Sequence, residues 1–359
     1  MLYHFLYPLH TAFSGFNVFR YITLRSIGGA VTAFIIVLFL GPFFIRAMQY
    51  FQIGQVVRDD GPETHLSKQG VPTMGGVLIL AAITVGTVLW ARLDNSLVWM
   101  GLFVTLFYGG IGAIDDYRKI KKKNSKGLSA KGKLILQVCG AAVVGAFILL
   151  HPGFDGHLSL PFLKNFRPDL GWFYVLFAII VIVGSSNAVN LTDGLDGLAA
   201  GPIVVTAAVY LVFSYLAGHV VLAEYLQLPY VAGSGELAIF CGTIFGACLG
   251  FMWFNAYPAQ MFMGDVGSLA LGGALGSIAI IIKQEFLLAI VGGVFVMEAL
   301  SVIMQVGYFK MTHGKRIFLM APFHHHFEKK GWHESKVVVR FWIVSIILGL
   351  FALATLKLR

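Results

Sequence analysis

Apolar stretches without charge recur along this chain, and each has the length of a helix that crosses the hydrocarbon core of a membrane, roughly 17–22 residues. Only 12% of the residues are charged, against about 25% in ordinary soluble domains. A soluble fold cannot cover so much apolar surface, so we predict an all-α polytopic membrane protein with about ten transmembrane helices. The predicted spans are 27–48, 74–91, 97–114, 134–150, 172–189, 198–217, 236–254, 266–282, 286–308 and 337–356.

Most of the 26 Lys and Arg residues lie in loops after odd-numbered spans or at the adjoining helix ends. Because cytoplasmic loops carry an excess of basic residues, this bias predicts that both termini are extracytoplasmic. It also favours membrane headgroups over nucleic acid as the partner of the net charge of +9. We predict one membrane domain over 1–359, with an interfacial segment at 1–22. Cytoplasmic loops are predicted near 49–73, 115–133, 190–197, 255–265 and 309–336.

Four polar motifs interrupt the apolar pattern, and each follows an odd-numbered span. Loops after odd spans share one side of the membrane, so the motifs are predicted to build one site, in a cleft on the cytoplasmic face. The motifs lie at 115–119, 190–197, 255–265 and 322–328.

Asp115 and Asp116 lie where the third span leaves the membrane. Carboxylates at a membrane boundary are costly unless they meet a cation or water, and two oxygen-rich ligands suit a hard metal such as Mg²⁺. The simpler alternative is a solvated helix end, with Asp116 paired to Arg118 or Lys119.

Asn190, Asp193 and Asp196 recur at three-residue intervals, which keeps them within one face of a helix. Gly194 and Gly197 disfavour a continuous helix and allow backbone to approach a ligand. A capped, glycine-rich turn is the structural alternative.

Asp265 opens the eighth span, where an acidic residue can also serve as a simple helix cap. Nearby, Asn255 and Phe262 offer an amide and an aromatic face that together suit a nucleobase.

Three adjacent histidines, residues 324–326, cannot all face one ion in a regular element, so contacts to a diphosphate fit better than a zinc site. Glu298, inside the ninth span, is either functional or hydrogen-bonded between helices, and we favour the second interpretation. With no Walker A loop and no dinucleotide fingerprint, the carboxylates and cations together favour phosphoryl transfer to or from a lipid.

Over essentially its full length the chain resembles the phospho-N-acetylmuramoyl-pentapeptide-transferase family, also called translocase I. The aspartate pair and the 190–197 motif are shared by the wider superfamily of polyprenyl-phosphate N-acetylhexosamine-1-phosphate transferases, whereas the triple histidine resembles the muramoyl-pentapeptide branch. The resemblance is carried by segments 68–76, 115–117, 187–197, 262–268 and 321–332.

The resemblance implies a homodimeric, Mg²⁺-dependent phosphotransferase of the bacterial plasma (inner) membrane that acts in peptidoglycan synthesis. Its substrates would be UDP-MurNAc-pentapeptide and undecaprenyl phosphate, and its products lipid I and UMP. By analogy Asp265 is a metal ligand, and Asp115 and Asp116 are catalytic. The expected substrate-binding residues are Lys68, Thr73, Lys119, Lys133, Asn187, Asn190, Leu191, Asp193, Gly194, Leu195, Asp196, Asn255, Phe262, His324, His325 and His326.

Two alternatives stay open at this point. A sister enzyme that transfers GlcNAc-1-phosphate from UDP-GlcNAc to a polyprenyl phosphate would share the aspartates. A cation or proton transporter would also explain Glu298 and the clustered histidines, although it predicts ion flux without any nucleotide substrate.

Overall fold

The computed structural model describes residues 1–51, 54, 70–122, 127–151, 154–163 and 166–357. Within these residues the chain is helical, which confirms the predicted all-α class. Its α-helices are α1 (Leu2–Leu6), α2 (Ile22–Tyr50), α3 (Gly76–Trp90), α4 (Ser96–Lys122), α5 (Ala130–Leu150), α6 (Phe173–Thr192), α7 (Ala200–Ala217), α8 (Val220–Leu226), α9 (Leu237–Asn255), α10 (Gly264–Ile281), α11 (Glu285–Val291), α12 (Gly293–Met311), α13 (Phe323–Lys329) and α14 (Glu334–Ala354).

In the described part of the chain, 9 helices are long and apolar enough to cross a membrane. This confirms a polytopic membrane protein and differs from the predicted ten spans at one position. The span expected at 74–91 forms α3, which has 15 residues. At 1.5 Å per residue such a helix is about 22 Å long, shorter than the hydrocarbon core of about 30 Å.

The shortness of α3 has a local cause. Just before it, the backbone N–H of Gly75 donates to the carbonyl of Phe262 at 2.8 Å, and the N–H of Phe262 donates to Pro72 at 2.8 Å. These bonds tie residues 72–75 to the segment before α10, and the helix begins only at Gly76.

The ninth predicted span, 286–308, is divided in the structure. α11 ends at Val291 and α12 begins at Gly293, with Gly292 between them. Glycine is a poor helix former, which accounts for a break at this position. α12 contains Glu298, the carboxylate that sequence analysis placed inside the membrane.

Helices α9 and α10 form the centre of the bundle, and 78% and 89% of the residues in their most apolar stretches are buried. α9 packs mainly against α2 and α7, and α10 against α4 and α6. Gly112 allows α4 to approach α10 closely, because a Cβ atom there would overlap the carbonyl oxygen of Asp265. This contact brings the end of α4 against the beginning of α10, which positions their carboxylates side by side.

A buried ion pair fastens the opposite end of the bundle. Arg25 of α2 donates to both carboxylate oxygens of Glu236 at 2.7 Å, and the backbone N–H of Arg92 donates to the same carboxylate at 2.9 Å. Both side chains are almost fully buried. The pair therefore joins α2, the residues after α3 and the beginning of α9.

Candidate active site

Three carboxylates meet where α4 ends and α10 begins. Asp115 and Asp116 lie in the last turns of α4 and are 3% and 5% exposed, while Asp265 lies in the first turn of α10. One oxygen from each lies within 4.8 Å of the others. Burial at this level excludes the solvated helix end that sequence analysis left open for the aspartate pair.

Two lysines neutralise this acidic cluster. The Lys119 ammonium lies 2.6 Å from Asp115 Oδ2, 3.3 Å from Asp116 Oδ1 and 3.0 Å from Asp265 Oδ2. The Lys133 ammonium lies 2.7 Å from Asp265 Oδ2. The sequence alternative was right that Asp116 pairs with Lys119, but the pair is one part of a larger network. Cations bound here would stabilise closely spaced negative charge.

Neutral donors fix the carboxylates in place. The Asn190 amide donates to Asp265 Oδ1 at 2.8 Å and to the Ser268 hydroxyl at 2.8 Å. The Val266 N–H donates to Asp116 Oδ2 at 3.2 Å, and the Leu128 N–H donates to Asp115 Oδ1 at 2.7 Å. The acids are therefore held by elements that lie far apart in sequence.

The donor set suits a hard divalent cation. Carboxylate oxygens are the ligands that Mg²⁺ prefers, and it is bound through one or two carboxylates together with substrate phosphates. The position of the Lys119 ammonium, within 3.3 Å of an oxygen of each acid, shows that the cluster accommodates positive charge at its centre. The structure therefore supports a metal site without identifying the metal.

Asp193 lies beside this cluster, at the residue that ends α6. The helix stops at Thr192, as the following glycines predicted. Burial, together with the negative charges of Asp265 and Asp116, raises the pKa of Asp193 to about 7. The carboxyl group is thus poised to change charge near neutral pH in the metal-free protein.

Asp196 and Asn255 connect two loops. Asp196 Oδ2 accepts from the Ala259 N–H at 2.9 Å, and Asn255 Oδ1 accepts from the Gly197 N–H at 3.0 Å. The Asn255 amide also donates to the Met261 carbonyl at 2.9 Å. Both side chains are 3% exposed. In this structure they hold the 193–199 and 256–263 segments together, so the nucleobase contact expected of Asn255 stays a prediction.

The remaining predicted binding residues lie in varied environments. Phe262 and Leu191 are partly exposed, whereas Leu195 is 4% exposed and packs in an apolar cluster with α14. The Thr73 hydroxyl lies next to Gly264, the residue that precedes Asp265. The Asn187 amide donates to Gln137 Oε1 at 2.9 Å and thereby joins α6 to α5.

Lys68 lies outside the described residues. Its expected contact with substrate therefore stays a prediction.

The three histidines occupy α13 and have different partners. His324 is fully buried, and its ring packs against Gly194. His325 Nδ1 lies 2.5 Å from Glu328 Oε2. The His326 ring stacks on Phe323 with centroids 5.6 Å apart. Because His324 touches the 190–197 motif, all four polar motifs meet at one end of the bundle.

Glu298 anchors this histidine element from within the membrane helix α12. Its carboxylate accepts from the His324 N–H at 3.2 Å and lies 3.1 Å from His324 Nδ1. Both side chains are almost completely buried. This geometry agrees with the interpretation that Glu298 is hydrogen-bonded between helices, and it connects the residue to the site.

Several residues that shape the site were not predicted from the sequence. Ser268 is three residues after Asp265 on the same helix face, a spacing that could have revealed it. Glu334, whose Oε1 accepts from the Asp196 N–H at 2.7 Å, gave no such signal because it is 138 residues away. Gln137 was hidden for the same reason.

Fold and site together define a polytopic membrane protein with an acidic, lysine-rich centre of the type that handles phosphorylated substrates. Residues 98–283 match the family model for glycosyl transferase family 4. Residues 68–80 match signature 1 of phospho-N-acetylmuramoyl-pentapeptide-transferase.

Curated relatives match over the whole chain. Proteins named phospho-N-acetylmuramoyl-pentapeptide-transferase from Desulfotalea psychrophila, Syntrophus aciditrophicus and Pelobacter propionicus are 80%, 61% and 59% identical. In each case the match covers 100% of both chains. The chain belongs to the phospho-N-acetylmuramoyl-pentapeptide-transferase family.

Proposed function

We propose that the protein transfers phospho-N-acetylmuramoyl-pentapeptide from UDP-MurNAc-pentapeptide to undecaprenyl phosphate. The products are lipid I and UMP, and the reaction is the first membrane step of peptidoglycan synthesis. The observation that carries this proposal is the cluster of Asp115, Asp116 and Asp265 around the Lys119 ammonium, in a chain that matches relatives of that name from end to end.

The proposed setting is the bacterial plasma membrane, with α3 as a tenth membrane crossing, the site in a cleft facing the cytoplasm and both termini outside. The bias of Lys and Arg toward loops at this end of the bundle supports the orientation. Residues 1–359 form one membrane domain, and the working unit is a homodimer, as the resemblance implies.

Mg²⁺ is the proposed cofactor, held by Asp265 with Asp115 and Asp116. When bound, it would polarise phosphoryl oxygens and offset the charge that develops during transfer. The carboxylates are the only anionic oxygens that the described residues bring within 4.8 Å of one another in a group of three. Lys119 and Lys133 balance that negative charge and lie close enough to contact a diphosphate.

Asp115 is better suited to positioning than to general base catalysis. Its Oδ1 accepts from the Leu128 N–H at 2.7 Å and its Oδ2 lies 2.6 Å from the Lys119 ammonium. The lipid acceptor also needs little help, because a phosphate monoester with a second pKa near 6 is mostly dianionic at pH 7. We therefore propose in-line attack by the lipid phosphate on the sugar-linked phosphorus.

A covalent aspartyl-phosphate is the alternative route, and rapid quenching separates the two. Direct attack predicts that no phosphorylated enzyme forms with the UDP-sugar alone and that UMP release requires the lipid acceptor. Trapped phosphoenzyme without acceptor would overturn direct attack.

The nucleotide is proposed to bind beside the cluster. Phe262 and Leu191 are partly exposed, Asp193 lies beside the cluster, and Gly194 packs against the ring of His324. His325 and His326, which are half-buried on α13, are proposed to contact the phosphates. The remaining proposed binding residues are Lys68, Thr73, Asn187, Asn190, Leu195, Asp196 and Asn255.

A comparison of donors tests the substrate. Protein purified in detergent should release UMP from UDP-MurNAc-pentapeptide in the presence of undecaprenyl phosphate, and UDP-GlcNAc should give little or none. UMP release from UDP-GlcNAc but not from UDP-MurNAc-pentapeptide would instead assign the protein to GlcNAc-1-phosphate transfer.

A further inference from the structure

The side of α4 opposite the three carboxylates has its own pattern. Ile114, Tyr117, Arg118 and Lys121 occupy positions i, i+3, i+4 and i+7, which places them on one face of the helix. Ile114 is 49% exposed and Tyr117 is 59% exposed. The two basic side chains are exposed as well.

An open groove of about 810 Å³ follows this face. Along the helix, its wall changes from apolar to aromatic to basic. Interfacial tyrosines with basic residues beyond them are typical of a helix that passes through the headgroup layer. The groove is lined by Ala113, Ile114, Tyr117, Arg118, Lys121 and Lys122.

The cations of this groove have no acidic partner among the described residues. Lys119, on the other side of the helix, has three carboxylates within 4.0 Å. In the described part of the chain, no ion pair involves Arg118, Lys121 or Lys122, and the Lys121 ammonium lies 5.9 Å from the centroid of the Tyr117 ring. Three neighbouring positive charges with no carboxylate paired to them in the described segments favour an anionic ligand.

Helix geometry disfavours the reacting lipid phosphate as that ligand. Each residue of an α-helix turns by about 100°, so Arg118, Tyr117 and Lys121 lie about 110–170° from the mean direction of Asp115 and Asp116, with Lys122 at the edge of the groove face. A phosphate held between Arg118 and Lys121 therefore lies on the side of α4 that faces away from the two aspartates.

We propose that this groove binds the headgroup of an anionic phospholipid of the surrounding leaflet. Arg118, Lys121 and Lys122 contact the phosphate, Arg118 with the planar fork that suits phosphate oxygens. An acyl chain lies along Ala113 and Ile114, and Tyr117 lies at the boundary between chain and headgroup. The proposal goes beyond the transferase reaction and concerns a lipid that is not consumed.

Native mass spectrometry of the full-length protein in detergent tests binding directly, without nucleotide or turnover. Wild-type protein is titrated with phosphatidylglycerol and, separately, with phosphatidylcholine. The test variant is R118Q/K121Q/K122Q. The control variant K310Q/K315Q/R316Q removes the same charge near the end of α12.

The proposal predicts that wild type prefers phosphatidylglycerol and that the test variant loses at least about fivefold in apparent affinity, since each basic residue near a membrane contributes to attraction of anionic lipid. The control variant should stay within about twofold of wild type. Equal binding by the test variant, or an equal loss in the control, would overturn the proposal.

A replacement variant and a competition experiment cover two further outcomes: a folding defect and binding of the acceptor lipid. If the triple variant fails to fold, as judged by its thermal unfolding, the single substitution Lys121→Glu replaces it and should lower phosphatidylglycerol affinity. Undecaprenyl phosphate that competes with phosphatidylglycerol in wild type but not in the test variant would show that the groove takes the acceptor lipid instead, against the proposal.

Discussion

At the scale of single residues, the position of Lys119 accounts for how three acids coexist in a buried site. Its ammonium lies within 3.3 Å of an oxygen from each of them. Without a cation, close carboxylates repel one another strongly in such surroundings. Lys119 and the proposed metal ion would therefore neutralise the same carboxylates.

Replacing Lys119 with Ala should lower turnover by about 100-fold, in the range seen when a charge-stabilising group is removed. It should also lower the unfolding midpoint in EDTA, and added Mg²⁺ should restore more stability to this variant than to wild type. Both effects are measured by UMP release and by thermal unfolding.

The matched control is Lys131→Ala, two residues before Lys133 and exposed. It should leave turnover and the midpoint nearly unchanged. An unaltered rate in the Lys119 variant would remove that residue from the site.

Asp193 provides a pH-dependent test in metal-free protein. Its pKa of about 7 in the fold lies above the ordinary value of 3.8, so between these values the folded chain holds a proton that the unfolded chain has lost. The free energy of unfolding should therefore fall as pH rises from about 4 to about 7.

Asp193→Asn removes this dependence. In EDTA the variant should gain about 2–4 °C in unfolding midpoint over wild type between pH 5 and pH 8. A constant difference across that range would show that Asp193 does not titrate as described.

The residue types of the site were predictable from the sequence, but their partners were not. Asp115, Asp116 and Asp265 stood out because carboxylates are rare at membrane boundaries. Their bonds to Leu128 and Val266 depend on backbone groups of other segments, which no local pattern encodes. The pairing of Glu334 with Asp196 was equally invisible.

At the scale of elements, α12 holds α13 through one buried contact. Glu298 accepts from the His324 N–H, and no solvent reaches either side chain. The histidine helix thus depends on a residue inside the membrane-spanning helix.

Glu298→Ala should destabilise the protein by about 3–5 kcal/mol, because it leaves one partner of a buried pair alone. Turnover should fall with it, since His324 packs against Gly194 of the site. Ser301→Ala, one turn away on α12 and also buried, is the control and should cost far less. Equal stability of both variants in thermal unfolding would contradict this role.

The contact between α4 and α10 offers a sharper comparison. At Gly112 a Cβ atom would overlap the backbone of Asp265, whereas at Gly110 nothing lies within 4 Å. Gly112→Ala should separate the helices, costing about 1–3 kcal/mol and most of the turnover. Gly110→Ala, on the exposed side of the same helix, should leave both the stability and the turnover unchanged. Equal UMP release by the two variants would contradict the assigned contact.

Element boundaries show where sequence reasoning stops. The apolar pattern predicted α3 and α12, but it could not predict that hydrogen bonds between residues 72–75 and Phe262 shorten the first. It also could not predict the break at Gly292. The first feature arises from contacts with a segment that is distant in sequence, whereas a single glycine within an apolar run does not by itself predict a break.

At the scale of the whole molecule, the best predictor of the site was that all four polar motifs follow odd-numbered predicted spans and therefore share one side of the membrane. The four motifs meet at one end of the bundle. The polytopic class and the family followed from hydropathy and motifs. The hydrogen bonds that join the loops around the site could be identified only from the folded structure.

The central claim is that the phosphate next to the sugar moves with the sugar. The most direct measurement uses UDP-MurNAc-pentapeptide labelled with ³²P in the β-phosphate, undecaprenyl phosphate, and either Mg²⁺ or EDTA. Transfer of phospho-sugar predicts label in the lipid and unlabelled UMP, only with Mg²⁺. Label retained in UDP alongside a glycosylated lipid would mean that the sugar alone is transferred, and would contradict the account.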